Sequence, residues 1–145
     1  MKDSEGNWRG FDIDIMKLFA QENHLQLHMI DTTLDGLIPA LLTGKCDMIA
    51  SGLTATEDRK KMVQFSNLVF TVTITAALLD TSQNKRTYKK FSDLNLKTTT
   101  IASQTGSAAT IYLQKHMQNV NLLQFNSESD ELGALIQHRA QAFID

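Results

Sequence analysis

Apolar positions near the start of the chain recur at helical spacing. Ile13, Met16, Phe19 and Ala20 follow Gly10, with Asp12 and Asp14 in the first turn, where the helix dipole favours acids. The spacing predicts a helix over 11–20. The period then shortens: Leu25, Leu27 and Met29 alternate with Gln26, His28 and Ile30, the pattern of a half-buried strand. Leu37–Leu42 predicts a short helix, with Pro39 tolerable in its first turn and Gly44 as its stop. Met48-Ile49-Ala50 follows as a short buried strand. Short connections between such elements predict β-α-β units, hence a parallel sheet covered by helices.

Thr54 and Glu57 are spaced as a capping box, so a helix is expected to begin just after Thr54. Val69 to Thr75 alternates β-branched and aromatic residues and predicts a long strand, suited to crossing between two lobes. The polar, basic stretch from Asp80 to Lys90 predicts a surface excursion and a boundary region. The second half then repeats the grammar of the first. It predicts a strand at 98–102, a turn at 104–107, a helix at 108–117, a strand at 120–125, a helix at 129–139 and a strand beginning at Ala142. The expected class is α/β, with one lobe over 1–75 and a second over 76–145. A final strand with no covering helix after it reads as a fold cut short.

Composition narrows the function classes. The 145 residues are 42% hydrophobic and 21% charged with a net charge of -2, ordinary for a globular protein. Basic residues cluster only around Lys85 to Lys90, which predicts a solvated face with membrane-permease docking as its functional rival. No nucleic-acid partner is expected, since that would need a broad basic face. No apolar run reaches membrane-spanning length, and no secretory signal opens the chain. Cys46 is the single cysteine, which excludes an intrachain disulfide and reads as a small hydrophobe. The four histidines lack metal-ligand spacing, and no third group accompanies a Cys46–His28 pair. Gln104-Thr105-Gly106-Ser107 precedes a helix but lacks the phosphate-loop pattern.

The most pointed constellation is Ser51-Gly52-x-Thr54-x-x-x-x-Arg59. A strand end would deliver a small-residue turn onto a helix start, whose open N–H groups and dipole favour an anion. Gly52 leaves the main chain approachable, Thr54 adds a hydroxyl, and the Arg59 guanidinium matches a carboxylate bidentately. These residues fit a receptor for a small carboxylate. They equally fit a capped surface helix with a solvated charge run from Glu57 to Lys61, and their chemistry alone leaves both readings open.

An ordered set of motifs resembles one family. Gly10-Phe11-Asp12-Ile13-Asp14, Gly36-Leu37-Ile38-Pro39-Ala40-Leu41, Gly44-Lys45-x-Asp47 and the run Ser51-Gly52-Leu53-Thr54-x-Thr56-x-x-Arg59-x-x-x-Val63-x-Phe65-Ser66 resemble the polar-amino-acid-binding periplasmic proteins of ABC importers. That family includes glutamine-, histidine- and lysine/arginine/ornithine-binding proteins. The resemblance runs from about Trp8 to Asp145. It implies a two-lobed periplasmic-binding-protein-like (type II) fold, here incomplete: the first strand is expected ahead of Met1 and the C-terminal part of the second lobe beyond Asp145.

By the same resemblance, Arg59 and Thr54 would take the ligand's α-carboxylate, the Gly52 carbonyl its ammonium, and Ser51 the floor. From the second lobe Gln104 would face the ligand side chain, and Ser107 and the Ala108 amide would add to carboxylate binding. Asp145 would be the acidic ammonium anchor or its neighbour, by spacing the neighbour. Leu34 stands where the family commonly has a stacking aromatic, so a cationic side chain loses its cation–π partner. With Gln104 opposite, this favours a neutral polar ligand such as glutamine. The implied partners are the amino acid and ABC permease subunits in a periplasmic or extracytoplasmic setting, with no cofactor and no catalysis. Open strand edges in a shortened fold predict an edge-paired or swapped dimer. The rivals are a ligand-sensing domain of a membrane receptor or kinase, and a dehydratase-like enzyme on the same scaffold, which would need a further acid in the cleft.

Overall fold

The computed structural model describes residues 4–145. These residues form two compact units, one reaching to Thr32 and taking in 36–53, the other from 33–35 and 54–145.

The first unit is built on helices. Helix α1 (Phe11–Glu22) buries Ile13 and Ala20, as the spacing predicts, and its first turn carries Asp12 and Asp14. It stops where Asn23 folds back, its side-chain amide donating to the Phe19 carbonyl at 2.8 Å. Helix α2 (Leu37–Leu42) closes through Thr43, whose hydroxyl donates to the Pro39 carbonyl at 2.8 Å. Gly44 follows with φ 70°, a conformation nearly free of penalty only for glycine. The strands expected at 25–30 and 48–50 do not form. A strand has no internal hydrogen bonds and exists only beside a partner, and no ladder reaches these segments among the described residues. Cys46 is half-buried.

The second unit holds the sheet. Its strands are β1 (Ala76–Ala77), β2 (Thr100–Gln104), β3 (Asn121–Phe125) and β4 (Ala142–Ile144), in the spatial order β1-β4-β2-β3. β2 runs parallel to both neighbours, Ile101 facing Leu122 on one side and Ala142 on the other, while β1 pairs antiparallel with β4. Helix α3 (Glu57–Lys60) precedes the sheet, and α4 (Ser82–Thr87) and a 3-10 turn (Phe91–Leu94) lie between β1 and β2. Helices α5 (Ala108–His116) and α6 (Glu128–Ile136) make the crossovers.

Successive residues of a strand point to opposite faces, and the core divides accordingly. Ile101, Ala142 and Ile144 pack with Leu94, Ala109, Leu113 and Met117. Ala102 packs with Ala134, Ala140 and the half-buried Phe125. So α5 covers one face of the sheet and α6 the other.

Three expectations are corrected here. The long strand expected over 69–75 does not form; pairing starts only after it, in the two residues of β1, and Val69, Phe70 and Val72 stand exposed. The polar stretch after Asp80 contains α4, started by the Thr81 hydroxyl accepting from the Asn84 amide at 3.1 Å. And α3 begins at Glu57, capped by Thr56 rather than Thr54. No helix among the described residues is long and apolar enough to cross a membrane.

Candidate functional site

Helix α3 is a single turn, and its charges divide cleanly. Lys60 bonds Glu57 and Lys61 bonds Asp58, each pair at 2.8 Å and exposed to solvent. The lysine hydrogen bonds hold both carboxyls below their ordinary range. Exposed pairs at this spacing stabilise a helix little, but they use up the acids nearest Arg59. That residue turns inward and is 7% exposed.

Inside, the Arg59 guanidinium donates to two main-chain carbonyls, that of Thr54 at 2.8 Å and that of Gly106. No carboxylate pairs with it among the described residues, and burial lowers its pKa. A guanidinium has more N–H groups than these two bonds use. A cation withdrawn from water and answered only by carbonyl dipoles is poorly compensated. It is therefore a strong attractor for an anion that can reach it.

Gly106 belongs to the turn between β2 and α5. Its φ is 76°, and an added Cβ would lie 3.0 Å from the Asp35 Cβ and 3.2 Å from the Asp35 Cα. Glycine thus allows both the turn and the close approach of Thr33–Asp35. Ser107 caps α5, its hydroxyl accepting from the Thr110 amide at 3.0 Å, and is itself buried. The Ala108 amide, at the first position of α5, has no acceptor among the described residues. Behind the turn a small hydroxyl network fixes the strand ends. Ser103 donates to the Ile144 carbonyl at 3.0 Å, and Thr110 lies 2.6 Å from the Gln104 carbonyl and 2.9 Å from the Ser103 hydroxyl.

The residues singled out from sequence fall as follows. Thr54, Arg59 and the 104–108 turn meet through the Arg59 hydrogen bonds. Leu34 is half-buried in a 3-10 turn (Leu34–Gly36), next to the Asp35 that abuts Gly106. The half-buried Gln104 ends β2, its side-chain amide directed to the Asn126 carbonyl at 3.4 Å. Asp145 follows β4, its amide and carbonyl exchanging bonds with Thr75 at 3.3 and 2.9 Å, and is exposed. Because β2 and β4 are parallel, Gln104 and Asp145 lie at the same, carboxyl, edge of the sheet. Ligands of open α/β sheets bind outside that edge. Ser51 and Gly52 belong to the other unit, where both are exposed and the Ser51 carbonyl accepts from the Leu53 amide at 2.6 Å. Arg59 is accordingly buried, which excludes a wholly solvated charge run.

One ionisable residue escaped the sequence reading. Glu131 of α6 is completely buried, and neither carboxyl oxygen has a hydrogen-bond partner. Burial, reinforced by the negative charges of Asp145 and Glu128, pushes its pKa up to about 7. The signal was its spacing: Glu131 shares a helical face with Ala134 and Leu135, both buried.

A parallel sheet flanked by helices, with Gln104 and Asp145 at its carboxyl edge and a buried cation held only by carbonyls, is an open α/β arrangement of the kind that takes ligands outside that edge. Comparison with known proteins agrees. A model of bacterial extracellular solute-binding proteins, family 3, matches residues 1–143, and the chain belongs to that family. It is similar to a probable histidine-binding protein of Campylobacter jejuni, 46% identical over 57 residues, covering 39% of this chain and 22% of that protein. It is also similar to a glutamine-binding protein of Geobacillus stearothermophilus, 33% identical over 135 residues, covering 90% of this chain and 49% of that protein.

Among solved structures, an ancestral amino acid-binding protein, a precursor of cyclohexadienyl dehydratase, superposes with a TM-score of 0.93 at 33% identity, over 100% of this chain and 64% of that one. Holo ArgBP from T. maritima gives 0.89 at 35% identity, over 100% and 62%. The chain thus spans less than two thirds of each of these proteins. The α/β class and the two-lobed, incomplete binding-protein fold inferred from the motifs are the ones these matches give.

Proposed function

We propose that the chain is the ligand-capturing part of an extracytoplasmic solute-binding protein that takes up a polar amino acid and presents it to the membrane subunits of an ABC importer. The observation that carries this reading is Arg59: buried, held by two carbonyls, and without a carboxylate of its own among the described residues. A ligand α-carboxylate would complete it, with Thr54, Ser107 and the Ala108 amide as neighbouring donors. Asp145 and the Gly52 carbonyl would take the ammonium, Ser51 would form the floor, and Leu34 would give apolar contact. With Gln104 toward the ligand side chain, a neutral group such as that of glutamine is favoured over a cation. Closure follows if the ligand makes more bonds in the closed state than in the open one.

The role in this reading is binding without turnover. A dehydratase on the same scaffold would need a further acid open to its substrate; Glu131 has no exposure, and the exposed Asp145 is assigned here to the ligand ammonium. The reading extends to a periplasmic or extracytoplasmic location, to docking on permease subunits, and to a swapped or edge-paired dimer through the short β1 edge. Light scattering across a concentration series tests the dimer; a clean monomer throughout refutes it. The main test is calorimetric titration with L-glutamine, L-arginine and L-histidine. Saturable binding of one of them, lost in Arg59→Met, is the expected result. Equal affinity in both proteins would overturn the site, and no binding of any of the three would overturn the function.

A further inference from the structure

Glu131 has no role in the site described so far, and its setting is unusual. The helical face that carries it also carries Ala134 and Leu135 into the core, so its carboxyl is buried with them and both oxygens lack a donor. A carboxylate in that position would lose its hydration with nothing in return, which favours the neutral acid.

The charges around it add to this. Asp145 at the end of β4 and Glu128 on its own helix both act to keep the proton on, and burial acts more strongly than either, so the group titrates at about 7. Asp130, the adjacent acid of α6, is turned to the Ser127 hydroxyl at 2.7 Å. The other strands that α6 packs on, β2 and β3, have no titratable residue in 100–104 or 121–125. Glu128 and Asp145 both lie toward the carboxyl edge of the sheet, since α6 starts directly after the end of β3, and Asp145 is the one that the proposed site uses.

We propose that Glu131 is a proton-linked tuning residue of the ligand site, holding its proton more firmly while the Asp145 end is empty and releasing part of it to the buffer when a ligand ammonium docks there. The inference rests on the proposed amino-acid site. Its physical basis is the sign of the field. An ammonium beside Asp145 cancels the like charge that holds the Glu131 proton and adds an attraction for the carboxylate. Burial stays unchanged, so the release is a fraction of one proton near neutral pH. Because the bound form carries fewer protons than the free form, affinity rises with pH, by at most about tenfold per pH unit.

The test is calorimetry with L-glutamine, L-arginine and L-histidine in phosphate and in Tris, two buffers of very different ionisation heat. The expected result is a buffer-dependent binding heat corresponding to proton release, and affinity that increases from about pH 6 to about pH 8. Glu131→Gln keeps the shape of the neutral acid and should bind with no proton release and a flat profile; Glu131→Leu serves the same purpose should the amide disturb folding. Binding with buffer-independent heats, or a pH slope retained in the variants, refutes the linkage and leaves the function standing. Failure to bind any of the three amino acids refutes the function. A second readout needs no ligand: carboxyl-carbon NMR of the labelled protein should show one glutamate titrating near neutrality and missing in Glu131→Gln. If Glu131 titrates in the ordinary carboxylate range, the proposal falls.

Discussion

Replacing Gly106 with alanine tests the turn that joins the sheet to the Arg59 site. The residue has φ 76°, and a left-handed backbone costs an L-residue about 1–2 kcal/mol. The new methyl would also press on Asp35, 3.0 Å from its Cβ and 3.2 Å from its Cα. The Cα is main chain and does not rotate away, so the Thr33–Asp35 segment must retreat; overpacking of this kind costs about 1–3 kcal/mol. The two effects together destabilise by roughly 2–5 kcal/mol, which for a chain of this size lowers Tm by roughly 4–20 °C. Gly133, in the interior of α6, provides the control. Nothing lies within 4 Å of a Cβ built there, so Gly133→Ala should stabilise by about 0.5–1 kcal/mol and raise Tm by a few degrees. Thermal unfolding followed by circular dichroism measures both. If Gly106→Ala moves Tm upward alongside Gly133→Ala, the turn is not held as described and the contact with Asp35 is wrong.

Three further outcomes follow from the same geometry. Arg59→Met should weaken amino-acid binding by about 3 kcal/mol or more, over a hundredfold in Kd, and Arg59→Lys, with the charge but not the fork, should fall between; calorimetry reads both. Thr56→Ala removes the cap of α3 and should cost about 1 kcal/mol in urea unfolding, whereas Thr54→Ala, whose carbonyl and not its hydroxyl serves Arg59, should cost clearly less. Glu131 titrates at about 7 in the folded chain and near 4.5 when unfolded. The folded state therefore binds more protons in that interval, and its stability falls as pH rises through it, by about 3 kcal/mol in all. Urea unfolding at about pH 4.5 and pH 8 should reveal this loss in the wild type and its absence in Glu131→Gln.

Much of the fold was legible because its signals are local. The helical stripe from Ile13 to Ala20 and the turn at 104–107 ahead of a helix each act over a few residues, and α1, α5, α6, β2, β3 and β4 appear within a few positions of their expected bounds. The strands expected at 25–30, 48–50 and 69–75 failed for one reason. Alternation shows that a segment could pair, but pairing depends on a partner that its own sequence does not contain. Helix α4 was missed since it is polar all round, although Thr81 before it and Lys85 and Arg86 in its last turn are start and stop signals. The expectation that Arg59 serves an anion came from its place near a helix start, and its burial is what the structure adds. The Arg59 contact with Gly106 was not legible, being 47 residues distant. Glu131 went unread because its helical phase, shared with the buried Ala134 and Leu135, was not weighed.

The order β1-β4-β2-β3 also dictates a folding sequence. β2 and β3 are joined by one short crossover and can associate as soon as α5 has formed, but Ala76 must wait for Ile144, its partner across nearly the whole second unit. On the ribosome, β1 emerges well before β4 and stays unpaired, beside the exposed Leu68, Val69 and Val72, until synthesis reaches 142–144. Closing so long a loop is the slow step for a sheet of this connectivity, and for that interval the nascent chain presents an apolar edge that chaperones or sibling chains can capture.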